Sequence, residues 1–353
     1  MSGLTESLKE YAGKLGCADE AERIYAAEDI GYLNTPEGVP VLLEQLDRET
    51  SRPVRDAIFQ ALIRIDADEA MAGCAGLFGS EDPQIRNQAV DALRHKGARS
   101  IPFLNKVMRD GDKDLRKLVL DVLTGIETGA AAEIYTAALC EDDPNVVITA
   151  VENLGRTRAA AFRGRIEDLL RADAHPMLIG ACLEALGAIG DESSAGPIRR
   201  LFPDLASLPD FILAPCLKAM GAVGAAREFG DVADLLAVRG PHLRSAILGA
   251  LAAIHQRFPA TAPGEDLLPF LKAVVNDGDP PLCRYQALQT LGPLAARDDV
   301  YNFLVSCLSS SERMVRLGAV ESLRAAERPE VRDVLASRVA GETDEEVLEA
   351  LGC

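Results

Sequence analysis

Residues 81–97 read EDPQIRNQAVDALRHKG, and the same pattern returns along the whole chain. Residues 312–324 read ERMVRLGAVESLR, 279–291 read DPPLCRYQALQTL, 240–254 read GPHLRSAILGALAAI, and 51–65 read SRPVRDAIFQALIRI. Within residues 81–97, Ile85, Ala89, Val90 and Leu93 fall on one helical stripe. An Asp-Pro turn opens the segment, where Asp caps a helix and Pro suits its first turn. Gly97 closes it, echoed by Gly125, Gly190 and Gly224. Anchoring on Arg86 gives the equivalents Arg55, Arg86, Arg116, Val147, Ile179, Leu213, Arg244, Arg284 and Arg316, stepped by 31, 30, 31, 32, 34, 31, 40 and 32 residues. That period holds two short helices and two turns. One such unit cannot bury its apolar stripe alone, so each copy must cover the exposed face of the one before.

The second helix of the unit repeats as well. Residues 101–112, IPFLNKVMRDGD, and 268–279, LPFLKAVVNDGD, share seven of twelve positions across 167 residues. No window shows competing strand-like alternation. Apolar residues make up 48% of the 353, but aromatics only 5%, with no Trp, so the core is built from Ala, Leu, Val and Ile. That composition suits thin layers of closely packed helices. The expected fold is all-α. Residues 1–20, with Leu4, Leu8, Tyr11 and Leu15 on one stripe, read as an N-terminal capping helix. Residues 21–343 form the repeat array, and 344–353 an acidic cap. The Pro-rich connections at 201–210 and 255–267 read as loops, the second a candidate bend.

The Asp-Pro turn, the helix Arg, the Ala-x-x-x-Leu spacing, the Gly stop and the Ile-Pro opening of the next helix resemble the HEAT-like repeat family, in the bacterial type also found in phycobilisome lyases. The resemblance covers about residues 21–343. It implies a right-handed α-α superhelix, a HEAT-like solenoid of about ten helix pairs. It also implies a ladder of turn Asp and helix Arg between adjacent units, carried here by Asp82–Arg86, Asp112–Arg116 and Asp279–Arg284 and interrupted at Val147, Ile179 and Leu213, with Arg86 expected to bond the turn Asp of its own or an adjacent unit. Such repeats serve many roles. The leading expectation is a non-enzymatic scaffold binding a protein on its concave face. The alternative is a bilin lyase subunit or chromophore chaperone.

Chemistry is scarce. A formal net charge of −18, from 37 basic and 55 acidic residues, repels phosphate backbones and excludes nucleic acid as a natural partner. No signal peptide and no membrane span is evident. The eight Cys form no C-x-x-C, which points away from zinc or disulfides and toward a reducing cytoplasm. One HEAT-like enzyme, deoxyhypusine hydroxylase, binds iron through His-Glu pairs, but none of His95, His175, His242 and His255 is followed by Glu. A HEAT-like DNA glycosylase would need a basic groove with aromatics. No phosphate-binding or nucleophile-elbow motif occurs. No catalytic residue, cofactor or metal is expected, and the Cys within helices read as small packing residues.

A partner surface is expected along the second helices. Aligning them on Leu104 places Phe103 and Lys106, Arg165 and Asp168, Pro197 and Arg200, Asp231 and Asp234, and Phe270 with Ala273 on the concave side. Phe103 and Phe270 are either aromatic anchors or core residues between helices. Arg165, Arg171 and Arg200 form a basic island, which either steers an acidic segment or pairs with Glu167, Asp168 and Asp231.

Overall fold

The computed structural model describes residues 2–276, 279–326 and 328–352, with side chains from residue 5 onward. The Leu4 side chain of the expected capping stripe and the last residue of the expected acidic cap, Cys353, lie outside the described residues. All regular structure among the described residues is helical. Helix pairs follow one another from Glu20–Leu33 with Gly38–Arg48 to Arg313–Arg324 with Glu330–Val339, preceded by Ser2–Leu15 and followed by Glu345–Leu351. No helix among them is long and apolar enough to cross a membrane.

The turn chemistry sets the helix starts. Asp82 accepts the backbone N–H of Gln84 ahead of Pro83–Lys96, and Asp112 accepts those of Asp114 and Leu115 ahead of Lys113–Leu123. Each satisfies donors that the helix itself leaves unpaired. Gly97 ends its helix at φ 61°, a conformation that costs a residue without Cβ little.

The chain divides into two units between Asn153 and Leu154, inside the helix Pro144–Arg156. Residues 255–267 lie within the second unit. There the His255 ring meets the Thr261 carbonyl at 3.1 Å, and Thr261 is buried. In the first unit each first helix packs on the next, from Glu20–Leu33 through Arg52–Arg64 and Pro83–Lys96 to Lys113–Leu123. The second unit does the same from Pro176–Ile189 through Asp210–Val223, Arg244–Arg257 and Pro281–Leu291 to Arg313–Arg324. Its core includes Leu213, Leu217, Ile247, Leu251, Leu288 and Leu323, all without solvent exposure.

The small residues of the first helices are buried, Ala89, Ala150, Cys182, Cys216, Ala287 and Ala319 among them. The tightest approach is made one turn further on. A Cβ added to Gly31 would stand 2.8 Å from the Ala61 Cα, and one on Gly155 2.9 Å from that of Ala185. The pattern continues with Gly221 against Ala250 at 3.0 Å, and with Gly187 against Ala219 at 3.5 Å. These glycines stand eight residues after the repeat anchor, a series that the structure extends back to Arg23, and their partners six residues after the next one. Where the second position is polar it bonds the preceding helix. Asn153 donates to the Leu120 carbonyl and Ser322 to that of Leu288, both at 2.9 Å.

Candidate protein-binding site

The anchor arginines are placed by their helices to face two loops at once. Arg86 donates to the carbonyls of Ser80 and Glu81, Arg316 to those of Ser310 and Ser311, and Arg23 to those of Cys17 and Ala18. Each thus grips the loop five and six residues before it. The far side of the guanidinium reaches the acid that opens the next repeat. Arg55 meets Asp82 at 2.7 Å, Arg244 meets Asp279 at 2.8 Å, and Arg316 meets Glu342 at 2.7 Å. Arg23 pairs with Glu49 and Arg116 with Glu141.

The ladder therefore runs one repeat out of step with the pairing drawn from the resemblance. Asp82 takes Arg55, not Arg86, and Asp279 takes Arg244, not Arg284. Arg116 reaches Glu141, while Asp112 caps its own helix. Arg284 donates to the Val275 carbonyl and stands 4.0 Å from Glu312. The helix rise explains the offset. The anchor side chain lies beside the following repeat's loop, and Asp82 gives one carboxylate oxygen to the Gln84 N–H of its own helix and the other to Arg55 of the repeat before.

The electrostatics follow the geometry. The Glu342 carboxyl is held down to about 2, first by Arg316 and then by the Thr343 and Asp344 N–H groups, against the upward push of burial. Burial pushes Glu49 up, but Arg23, Ser51 and Gln45 outweigh it and the net shift is downward. The Gln84 N–H, and after it Arg55, lower Asp82. Burial pushes the Cys182 and Cys216 thiols up to about 12, which leaves both protonated and unreactive at neutral pH.

The candidate contact residues separate by unit. In the first, Phe103 is half-buried and Lys106 exposed on Ile101–Asp110. In the second, Phe270 packs partly against the apolar core, with the Arg244 guanidinium 4.9 Å from its ring centroid. Arg171 stands 3.7 Å from Asp173, both well exposed. Arg165 and Arg200 are exposed on successive second helices, Arg163–Leu169 and Ala195–Leu201. Neighbouring cations take two of the three acids expected for them, Glu167 and Asp231. Glu167 receives Arg163 and the Ser194 hydroxyl, and Asp231 receives Arg199. Among the described residues no ion pair or hydrogen bond involves Arg165 or Arg200.

Sequence reading missed Arg239. It donates to the carbonyls of Ala206 and Leu208 at 2.7 and 2.5 Å and meets Asp210 at 3.2 Å. It thus grips the loop ahead of Asp210–Val223, the loop an Arg at position 213 would have held. No local signal marks it, because it arrives from the end of a second helix. A row of exposed apolar residues was also unforeseen. Met177, Phe211 and Leu282 all stand two residues before the anchor position.

Comparison with known proteins bears on the fold. The HEAT-repeat family model matches residues 12–94 and 267–352. No curated protein matches the chain. Among solved structures, the chain is similar to Kap95p, in a complex with RanGDP, at a TM-score of 0.59 and 14% identity, covering 98% of this chain and 56% of that one. It is also similar to Kap121p, at 0.52 and 13%, and to Kap121p bound to the extreme C-terminus of the protein phosphatase Cdc14p, at 0.51 and 11%, each covering 98% of this chain and 45% of that one. The chain thus spans about half the length of these karyopherins. At such identity the likeness speaks for fold alone. The protein is an all-α HEAT-like solenoid whose HEAT-repeat sequence is recognisable at residues 12–94 and 267–352.

Proposed function

We propose that this protein is a non-catalytic scaffold that holds a partner protein along its second helices. The observation that carries the reading is the pair Arg165 and Arg200. Each is exposed and, among the described residues, unpaired, while Arg163 and Arg199 beside them are taken by acids of their own or the following repeat. Unpaired cations in a chain of net charge −18 are suited to steering an acidic stretch of a partner. Arg171 extends this island. Phe270, in the same unit, would add a contact through its exposed edge, and Phe103 and Lys106 are candidate contacts of the first unit by itself. Burial keeps the Cys182 and Cys216 thiols protonated, while His175 caps a helix and His255 is tied to the Thr261 carbonyl. Solenoids of similar fold are known holding protein segments, as with Kap121p and Cdc14p.

The test is affinity capture with the full chain from its organism of origin, comparing the unchanged protein with Arg165→Glu/Arg200→Glu. Partner recovery should fall by about tenfold or more with an unchanged melting temperature, since each cation is a surface group. Undiminished recovery by the folded variant would place the binding surface elsewhere. The bilin-lyase alternative would show itself by an absorbance shift on mixing with phycocyanobilin, and that shift would displace the scaffold reading.

A further inference from the structure

The Pro-rich connection after Ala195–Leu201 does more than join two helices. Residues 202–206 roof a cavity of about 250 Å³ between that helix and Glu228–Val238. The roof is fixed at two points. Asp204 accepts the Ala206 N–H at 3.0 Å, and Arg239 holds the carbonyls of Ala206 and Leu208. Ile198, Phe202, Met220 and Leu235 supply apolar walls, and Val238 stands at the rim with 65% of its surface exposed.

The cavity's charge is one-sided. Asp204, Asp231 and Asp234 line it, against the single cation Arg199. Arg199 is already shared between Asp231 and the fully buried Glu228, which stands 3.5 Å away. Asp234 is exposed and, among the described residues, makes no ion pair or hydrogen bond. The cavity therefore joins an apolar interior to an uncompensated negative rim.

We infer that this cavity receives a lysine or arginine side chain of the partner protein. The aliphatic stem would lie against Phe202, Leu205 and Val238, over the buried Ile198, Met220 and Leu235, and the charged head would meet Asp234 and Asp204. Long cationic side chains bury their stems against apolar surface while the head stays at a polar edge. A metal ion is the poorer occupant. Among the described residues no three carboxylate, His or Cys side chains stand close enough to hold one, and apolar walls do nothing for a hydrated ion. The inference rests on the scaffold reading and deepens it. The bound segment carries both signs, acids toward Arg165 and Arg200 and one cation into the cavity.

The experiment uses the full chain with labelled methyl groups. N-acetyl-lysine methylamide is titrated in and followed by NMR at Met220, Ile198 and Val238. Saturable shifts at these methyls are expected. They should weaken by about tenfold in Asp234→Asn, and N-acetyl-norleucine methylamide should bind about tenfold more weakly than the lysine derivative. Equal shifts from the norleucine derivative, or none from the lysine derivative, would overturn the inference. So would a clear preference for putrescine, which would make the occupant a free amine. Loss of the cavity result while Arg165→Glu/Arg200→Glu still abolishes capture rejects the cavity alone. Lysine binding with capture undiminished in that variant rejects the arginine surface and leaves the cavity standing.

Discussion

At Arg316 a guanidinium fills the space between two repeats, holding Ser310 and Ser311 on one side and Glu342 on the other. At Leu213 the same repeat position carries an apolar side chain without solvent exposure, and Arg239 grips the loop instead. Val147 and Ile179 are likewise buried. These middle repeats also contain the close contacts of Gly155 with Ala185, Gly187 with Ala219 and Gly221 with Ala250. Repeat stacking is thus secured by a polar staple between loops, by helices brought into near backbone contact, or, where Arg23 and Gly31 share one helix, by both. The segments that match the HEAT-repeat family contain Arg23, Arg55 and Arg86 at one end and Arg284 and Arg316 at the other. Outside those segments Arg116 and Arg244 keep the staple, and between them the repeats of Val147, Ile179 and Leu213 stack without it, because a stacked helix pair needs a filled interface and not a particular residue in it.

The sharpest way to break this contrast is to place the staple where its partners are missing. Leu213→Arg puts a charge at a buried site whose next first helix is preceded by Gly240 and Pro241, with no acid. A buried charge left uncompensated is expected to cost about 3–5 kcal/mol, read as a fall in the urea midpoint. A small effect would mean that the middle interface opens readily to solvent.

The close contacts come next. Gly221→Leu must push against the Ala250 backbone, and overpacking of this kind costs about 1–3 kcal/mol. Gly180, inside Pro176–Ile189, has nothing within 4 Å of an added Cβ. Gly180→Ala should instead stabilise by about 0.5–1 kcal/mol, through the loss of unfolded-state freedom. Chemical melts of both variants check the opposite signs. Equal signs would remove the case for backbone contact.

The staple itself is the smaller term and depends on pH. Glu342→Gln strands part of Arg316 and should cost about 1–2 kcal/mol at neutral pH. The folded carboxyl titrates near 2, below its ordinary 4.5, so its contribution is complete above about 4.5 and fades as the pH falls toward 2. Melts of both proteins across that window should converge at the acid end. A constant gap would assign the loss to packing and not to charge. Arg109→Ala, on an exposed position of Ile101–Asp110, should change nothing measurable at any pH.

By itself the sequence determined the repeat, its helices and their ends. These depend on residues a few positions apart, such as the Asp82 cap, the stripe through Ile85, Ala89 and Leu93, and the stop at Gly97. Spacing also singled out the anchor arginines and showed where they give way to Val147, Ile179 and Leu213. It brought Arg165 and Arg200 forward as candidate contacts. Only the tertiary structure decided which acid each arginine meets, since the offset of one repeat against the next places Asp82 beside Arg55. It alone showed that Arg163 and Arg199 take the nearby acids and leave Arg165 and Arg200 without partners. It alone brought Arg239 to the loop ahead of Asp210 and closed that loop over a cavity. Each of these depends on the packing of whole helices, and a helix turned by one residue would exchange every such pair while leaving the sequence pattern unchanged.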